Sequence, residues 1–376
     1  MKIIIDDKIP YINGVLEPYF EVIYLSGRET TKDAISDADA LITRTRTSCS
    51  RENLAGSKVK YIATATIGFD HIDAKFCEEA GIKWSNAPGC NAESVNQYIA
   101  SALFAIARRE GASLKGMSIG IVGVGQVGSR VARTCETLGM NVLLNDPPRE
   151  RAEGPSKFVS LQDVLERADI ITFHVPLNMN GADKTHHMVD SAFLQGLTSC
   201  PWLINTSRGE IFKTAAVKRA RSTGVVRGLV IDCWEHEPDL DIGLLQMTDL
   251  ATPHIAGYSR DGKARGTTAS VRAVSRFFGL GIDDWKPSSV ESPAHPLIEI
   301  NGLGKSSEEV LAEAVLATYR IDVDDRALRD QTELFEQLRG GYPVRREFNA
   351  HAVSAINVEV EILNKLAQLG FEVSNE

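Results

Sequence analysis

Residues 117–146 constrain this chain more than any other stretch. Ser118-Ile119-Gly120-Ile121-Val122 is a short apolar, β-branched run of the kind that forms a buried strand. It leads directly into Gly123-Val124-Gly125-Gln126-Val127-Gly128, and a helical pattern (Val127, Val131, Ala132, Cys135, Leu138) follows until Gly139 stops it. A second strand, Asn141 to Asn145, ends at Asp146. Each glycine has a physical task. The first allows a tight turn, the second lets backbone approach a pyrophosphate, and the third lets the helix pack closely on the strand. The helix N-terminus offers unpaired N–H groups and a positive dipole end to phosphates. Asp146 lies 18 residues beyond Gly128, where a carboxylate can accept hydrogen bonds from a ribose. A glycine-rich turn alone is a weak signal. Strand, loop, helix, strand and acid in this order imply a dinucleotide site built from Gly123, Gly125, Gln126, Val127, Gly128 and Asp146. A carboxylate at the ribose repels a 2′-phosphate, so NAD is expected over NADP. Arg149, three residues on, is the nearby cation that would argue the other way.

The rest of the chain must accommodate that unit. At 376 residues it is long enough for two or three domains. Its 43% hydrophobic and 24% charged residues describe a globular protein with ample core. The net charge of −9 argues against nucleic-acid or anionic-membrane binding, and an acidic substrate would need a local basic pocket. Six cysteines without CxxC spacing or a Cys/His cluster suggest reduced thiols, no metal site and a cytoplasmic setting. The start, Met1 to Asp7, is too short an apolar run for a signal peptide.

Taken in order, strands are expected at 2–5, 20–25, 40–43 and 59–64, with helices at 30–36 and 73–80 between them. This alternation is the mark of a parallel α/β sheet, complete before the glycine loop begins. Loops at the carboxyl ends of its strands, Arg44-Thr45-Arg46-Thr47-Ser48 and Thr66-Ile67-Gly68-Phe69-Asp70, are candidate functional loops. A long amphipathic helix over 93–110 carries the chain into the dinucleotide domain. That domain continues through a helix at 161–168, strands at 170–174, 203–206, 228–232 and 250–252, and a helix near 214–221. A helix over 259–278 returns toward the first domain, and 283–296 resembles a linker. Helices are expected over 306–317 and 325–338, and 356–369 mixes apolar and charged residues. The boundaries are 1–93 with 257–285, 94–256, and 286–376.

Arg208, Glu237 and His254 stand out after the cofactor loop. With them come His174-Val175-Pro176-Leu177, Asn205-Thr206-Ser207-Arg208-Gly209-Glu210, Asp232-Cys233-Trp234-Glu235-His236-Glu237-Pro238 and Thr252-Pro253-His254-Ile255-Ala256-Gly257. With the glycine loop, these motifs resemble those of the D-isomer-specific 2-hydroxyacid dehydrogenases. The resemblance implies two Rossmann-like doubly wound parallel-sheet domains, the first a substrate-binding lid, and NAD-dependent oxidation of a small 2-hydroxy acid. The tail adds a small C-terminal α+β unit, which we read as a dimerisation domain giving a homodimer.

The residue types suit that chemistry. Oxidation of a 2-hydroxy acid removes a hydride from C2 and a proton from its hydroxyl. A histidine, with an ordinary pKa of about 6.5, is suited to take the proton; His254 fills that role here. His174, His186, His187 and His236 lie elsewhere in the motifs. A paired carboxylate fixes the imidazole tautomer and favours its charged form, and the resemblance assigns this to Glu237. Arg208 would hold the substrate carboxylate in a bidentate pair. The resemblance adds Val175, Thr206, Ser207, Arg208, Asp232 and Gly257 to the dinucleotide site, and Thr45, Thr66 and Tyr258 to the substrate. Arg44 and Arg46 supply positive charge for a phosphorylated acid, and Arg345 or Arg346 could reach a phosphate across a dimer. Dehydrogenases acting on 3-phosphoglycerate or glycerate would share every catalytic residue. A non-enzymatic NAD sensor would have no need of the Arg208, Glu237 and His254 set.

Overall fold

The computed structural model describes residues 1–374. They form two compact units, Met1–Asn91 with Ser259–Glu291, and Ala92–Tyr258 with the chain from Ser292 onward. Among the described residues no helix is long and apolar enough to cross a membrane.

The first unit is built on strands β1 (Lys2–Asp6), β2 (Glu21–Leu25), β3 (Ala40–Thr43), β4 (Tyr61–Thr64) and β5 (Lys83–Ser85), all parallel in the order β2-β1-β3-β4-β5. Successive side chains of a strand point to opposite faces, so a continuous apolar run serves a sheet covered on both sides. Ile3 and Ile5 face one core cluster with Ile42 and Ala63, while Ile4 faces another with Leu41 and Ile62. The helix Arg260–Phe278 closes the first cluster through Val271 and Val274. Its start is capped by the Ser259 hydroxyl, which accepts the Gly262 N–H at 2.8 Å.

The second unit holds strands β6 (Ser118–Val122), β7 (Asn141–Asn145), β8 (Ile170–Phe173), β9 (Trp202–Asn205), β10 (Gly228–Ile231) and β11 (Leu250–Ala251). All are parallel, in the order β11-β10-β9-β8-β6-β7. The order reverses between β6 and β8, and ligands of such sheets bind where the order reverses. The glycine loop leaves β6 at this point, so the tertiary placement agrees with the local signal.

The tail departs most from the sequence reading. It contains a parallel three-stranded sheet of β12 (Leu297–Asn301), β13 (Ala352–Ile356) and β14 (Glu372–Ser374). The strands are short, and β12 and β13 pair residues 55 positions apart, as in Leu297 with Ala352, a partnership no local pattern reveals. The helix expected over 325–338 is two, Ile321–Asp330 and Phe335–Gly340, separated by an irregular backbone at Gln331. Its two anchors, Leu328 and Phe335, lie seven residues apart and fit one helical face equally well with or without the break. The helix Ser307–Thr318, opened by a Ser306–Glu309 capping box, keeps near its expected place, and the mixed apolar and charged stretch 356–369 holds the helix Val360–Leu369.

The tail shares its core with the nucleotide sheet. Val310, Val315, Val353 and Leu366 lie in one cluster with Ile99, Leu103, Ile119 and Ile121, and Leu328 and Phe335 join Phe173 and Trp234 in another. Leu366 is fully buried. Leu366→Ala is expected to lower stability by about 2–5 kcal/mol, and because the core is shared, urea unfolding followed by tryptophan fluorescence and by circular dichroism should shift together. A shift in one signal alone would mean that the tail unfolds independently.

Candidate active site

The glycine loop fits a dinucleotide. A Cβ on Gly128 would lie 2.0 Å from the Gly123 carbonyl oxygen, and one on Gly123 would lie 2.6 Å from the carbonyl of His174. One on Gly125 would meet nothing within 4 Å. Two positions are therefore glycine because the backbone is crowded, and the third leaves open space where a pyrophosphate would approach. Asp146 follows β7 and caps the next helix, its carboxylate accepting the N–H of Val124 at 2.8 Å and of Arg149 at 3.1 Å. Each oxygen keeps a lone pair for a ribose hydroxyl. Arg149 is engaged by Glu153 at 2.5 Å and donates to the Val124 carbonyl, so its charge is already answered. Gln126 is exposed and Val127 half-buried at the loop. Val175 follows β8 and packs against the core beneath it.

The loops after β9, β10 and β11 build the reacting end. Asn205, buried at the end of β9, accepts from the Ser207 N–H (3.1 Å) and hydroxyl (3.0 Å) and donates to the Arg208 carbonyl (2.8 Å). This ties down Thr206-Ser207 and leaves Arg208 in extended backbone. Gly209 must be glycine, because a Cβ there would lie 2.0 Å from the Trp234 carbonyl. The loops after β9 and β10 touch at that point. Trp234 in turn donates from its indole to the Thr252 carbonyl at 2.9 Å, tying the β10 loop to β11.

Asp232 joins the same loops from within. Its carboxylate accepts from the Thr252 hydroxyl (2.7 Å) and from the N–H groups of Ile255 (2.7 Å) and Ala256 (2.9 Å), and its carbonyl accepts the His254 N–H (2.8 Å). Burial pushes this carboxyl above its ordinary range, and the His254 charge and these donors oppose that rise. His254 itself has φ +54°, a left-handed conformation costly for a residue with a Cβ. The Asp232 bonds hold it there and aim the ring. His254 Nδ1 meets Glu237 Oε1 at 2.6 Å, and Glu237 Oε2 accepts the Trp234 N–H at 3.2 Å. Burial works to raise the Glu237 carboxyl, but the His254 charge and hydrogen bond and the Arg339 charge outweigh it, leaving the group below its ordinary value. With Nδ1 committed to Glu237, Nε2 is the ring nitrogen left to exchange a proton.

The comparisons with known proteins bear on this geometry. Residues 91–256 match the family described as D-isomer specific 2-hydroxyacid dehydrogenase, NAD binding domain, and residues 292–370 match a domain of unknown function. A protein of Bacteroides fragilis named erythronate-4-phosphate dehydrogenase is 51% identical over 354 residues, 94% of this chain and 99% of that protein. The chain belongs to the erythronate-4-phosphate dehydrogenases, within the D-isomer specific 2-hydroxyacid dehydrogenases. A Porphyromonas gingivalis protein of the same name is 42% identical, over 96% of this chain and 98% of that one. The D-lactate dehydrogenase of Aquifex aeolicus, solved with NAD and lactic acid, aligns with TM-score 0.65 and 25% identity over 75% of this chain and 97% of that one. The chain thus carries the family's NAD-binding domain, and its substrate is a small hydroxy acid.

Within the second unit the structure brings together Arg208, Asp232, Glu237, His254, Gly257 and Tyr258 on adjoining strand-end loops. In the first unit, Thr45 and Arg46 are exposed and Arg44 half-buried after β3. Thr66 lies after β4, its hydroxyl bonded to the Thr64 hydroxyl (2.8 Å) and the Gly68 carbonyl (2.9 Å). Arg345 corrects an expectation. It is only 5% exposed, donates to the Ala256 carbonyl and lies 4.5 Å over the Tyr319 ring, so it is an internal strut of its own chain. The sequence reading missed Arg339, which stands 3.9 Å from Glu237. Its neighbours Gln337, Leu338, Gly340 and Gly341 form no motif, and nothing local could have singled it out.

His174 is held between the hydroxyls of Thr172 (3.1 Å) and Thr206 (3.4 Å). Burial pushes its imidazole down to about 3, so it stays neutral at working pH and is no rival to His254. The unfolded ring takes up a proton near pH 6.5, roughly, while the folded ring resists until pH falls to about 3. Its contribution to stability is whole above the unfolded value and shrinks as pH falls below it. The loss of melting temperature between about pH 7 and pH 5 is expected to be smaller in His174→Gln than in the parent chain, as thermal melts would show.

Proposed function

We propose that this chain oxidises 4-phospho-D-erythronate at C2 to 2-oxo-3-hydroxy-4-phosphobutanoate, as a step in pyridoxal 5′-phosphate formation. The observation that carries the chemistry is the 2.6 Å pairing of His254 with Glu237, on loops that adjoin a dinucleotide-binding turn. The named relatives, matched along nearly their whole length, support the choice of acid. NAD, when bound, supplies the acceptor for the C2 hydride. Gly123 to Gly128 cradle its pyrophosphate and Asp146 takes its ribose. Val175, Thr206, Ser207, Asp232 and Gly257 line the remainder.

Arg208 binds the substrate carboxylate and orients C2. His254 Nε2 accepts the hydroxyl proton as the C–H bond breaks, and Glu237 keeps Nδ1 protonated and stabilises the imidazolium. Tyr258, Thr45 and Thr66 contact the substrate, and Arg44 and Arg46 answer its phosphate. The unit formed by Met1–Asn91 and Ser259–Glu291 serves as the substrate-binding lid domain, and the chain works in the cytoplasm. The tail joins two copies into a homodimer. Supporting that, the outer face of its sheet leaves Leu297 52% and Ile356 45% exposed, apolar area that a second copy would cover.

The deciding experiment is NADH formation with 4-phosphoerythronate, 3-phosphoglycerate, glycerate and lactate, and the reverse reaction with the 2-oxo acids. The highest kcat/KM is expected for 4-phosphoerythronate; preference for an unphosphorylated acid would remove the role given to Arg44 and Arg46. His254→Ala should cut turnover by about 10²–10⁴-fold, and near-normal turnover would rule it out as the proton acceptor. Arg208→Lys keeps the charge but loses the planar fork, so KM should rise by about tenfold. Unchanged kinetics would rule out the bidentate role.

A further inference from the structure

The Glu237–His254 pair has a third neighbour, and it comes from the tail. Arg339 sits on the short helix Phe335–Gly340, whose Phe335 is almost fully buried against the nucleotide sheet and whose Leu338 packs beside it. The Arg339 side chain is 10% exposed. One of its terminal nitrogens lies 3.9 Å from Glu237 Oε1, the same oxygen that meets His254 Nδ1 at 2.6 Å. It reaches Glu336 at only 3.5 Å, its Nε is buried without a partner, and its guanidinium lies 5.7 Å over the Tyr258 ring and 5.8 Å over that of Phe335. Burying a guanidinium with so few close acceptors is costly. Its ion pairs, with Glu336 at 3.5 Å and with Glu237 at 3.9 Å, are both long, so the cation acts through its charge on what lies beside it.

The other charged or titratable groups facing the pair within this unit are Asp232 and Cys233 after β10, Arg208 after β9, Tyr258 after β11, and Glu336 on the helix of Arg339. We propose that Arg339 is a positioning residue for the dehydrogenase reaction: it holds the Glu237 carboxylate ionised and in register with His254, and opposes protonation of the imidazole. The proposal rests on His254 being the proton acceptor. A largely shielded carboxylate such as Glu237, its side chain 23% exposed, attracts a protonated histidine strongly, and a base that is already protonated cannot take the substrate's proton. A second cation on the same oxygen weakens that attraction, so more of the imidazole is neutral and ready at neutral pH. The tail thereby acts on the chemistry of its own chain, beyond any role in joining two copies.

The test uses the full-length chain and the variants Arg339→Met and Arg339→Lys, with kcat/KM for 4-phosphoerythronate measured across pH. Ring ¹³C signals of labelled histidine, with the His254 signal identified by its loss in His254→Asn, are titrated in parallel. Arg339→Met is expected to move the acid limb of the profile and the midpoint of the His254 signal upward by about half a unit to one unit, with KM changed less than twofold or so. Arg339→Lys should bring both back toward the parent. Superimposable profiles and titrations in all three proteins would overturn the proposal, leaving Arg339 a structural counter-ion. A rise in KM with an unmoved profile would equally overturn it, making the residue a ligand of the substrate anion. Should Arg339→Met fail to fold, Arg339→Gln removes the charge while keeping much of the shape, and the same two shifts decide. Failure of the base assignment would show separately, as undiminished turnover in His254→Asn, while the ring titration would still report on Arg339.

Discussion

A single buried carboxylate organises the reacting end of this molecule. Asp232 closes β10 and gathers the Thr252 hydroxyl and two consecutive backbone N–H groups from the turn after β11. An acid taken out of water is tolerated only when its lone pairs are met, and here the donors are the turn that carries His254. Removing the carboxylate would orphan those N–H groups and release a histidine held in left-handed backbone. The same residue that lines the expected cofactor site therefore also fixes where the proton acceptor points. Asn205 does the equivalent for Arg208 one strand away.

Close backbone approach is the second constraint. Gly123, Gly128 and Gly209 each sit where an added methyl group would strike a carbonyl or a neighbouring chain segment. At the first two, the contact packs the helix Gly128–Thr137 on its strand and sets the loops after β6 and β8 side by side. At the third, it presses the Arg208 loop against Trp234. Parallel sheets leave all their strand ends on one edge, so functional loops crowd there, and glycine is the residue that permits the crowding.

The tail shows how an added segment becomes part of a site without supplying a motif. Its helices bury Leu328 and Phe335 in the core beneath the nucleotide sheet, and Arg345 runs through the interior to the carbonyl of Ala256. Asp324, whose carboxyl burial pushes upward, accepts from the hydroxyls of both Tyr319 and Tyr342 beside that arginine. Through the Ala256 carbonyl the network reaches the turn that Asp232 also grips.

Much of this was legible in the order of residues. The glycine loop, its strand and helix, Asp146, and the strand-end positions of Arg208, Asp232 and His254 all depend on local chemistry: β-branched runs, helix periodicity, and polar residues where strands stop. The pairing of Glu237 with His254 was legible only through the resemblance, since 17 residues and a turn separate them. Tertiary structure alone decided the rest. It split the helix expected over 325–338, placed three tail strands side by side, drew Arg345 inside, and brought Arg339 to Glu237 across about 100 residues of chain. Periodicity reports which side of a segment seeks a core; it carries no information about which distant segment supplies that core, and every one of these features depends on the distant partner.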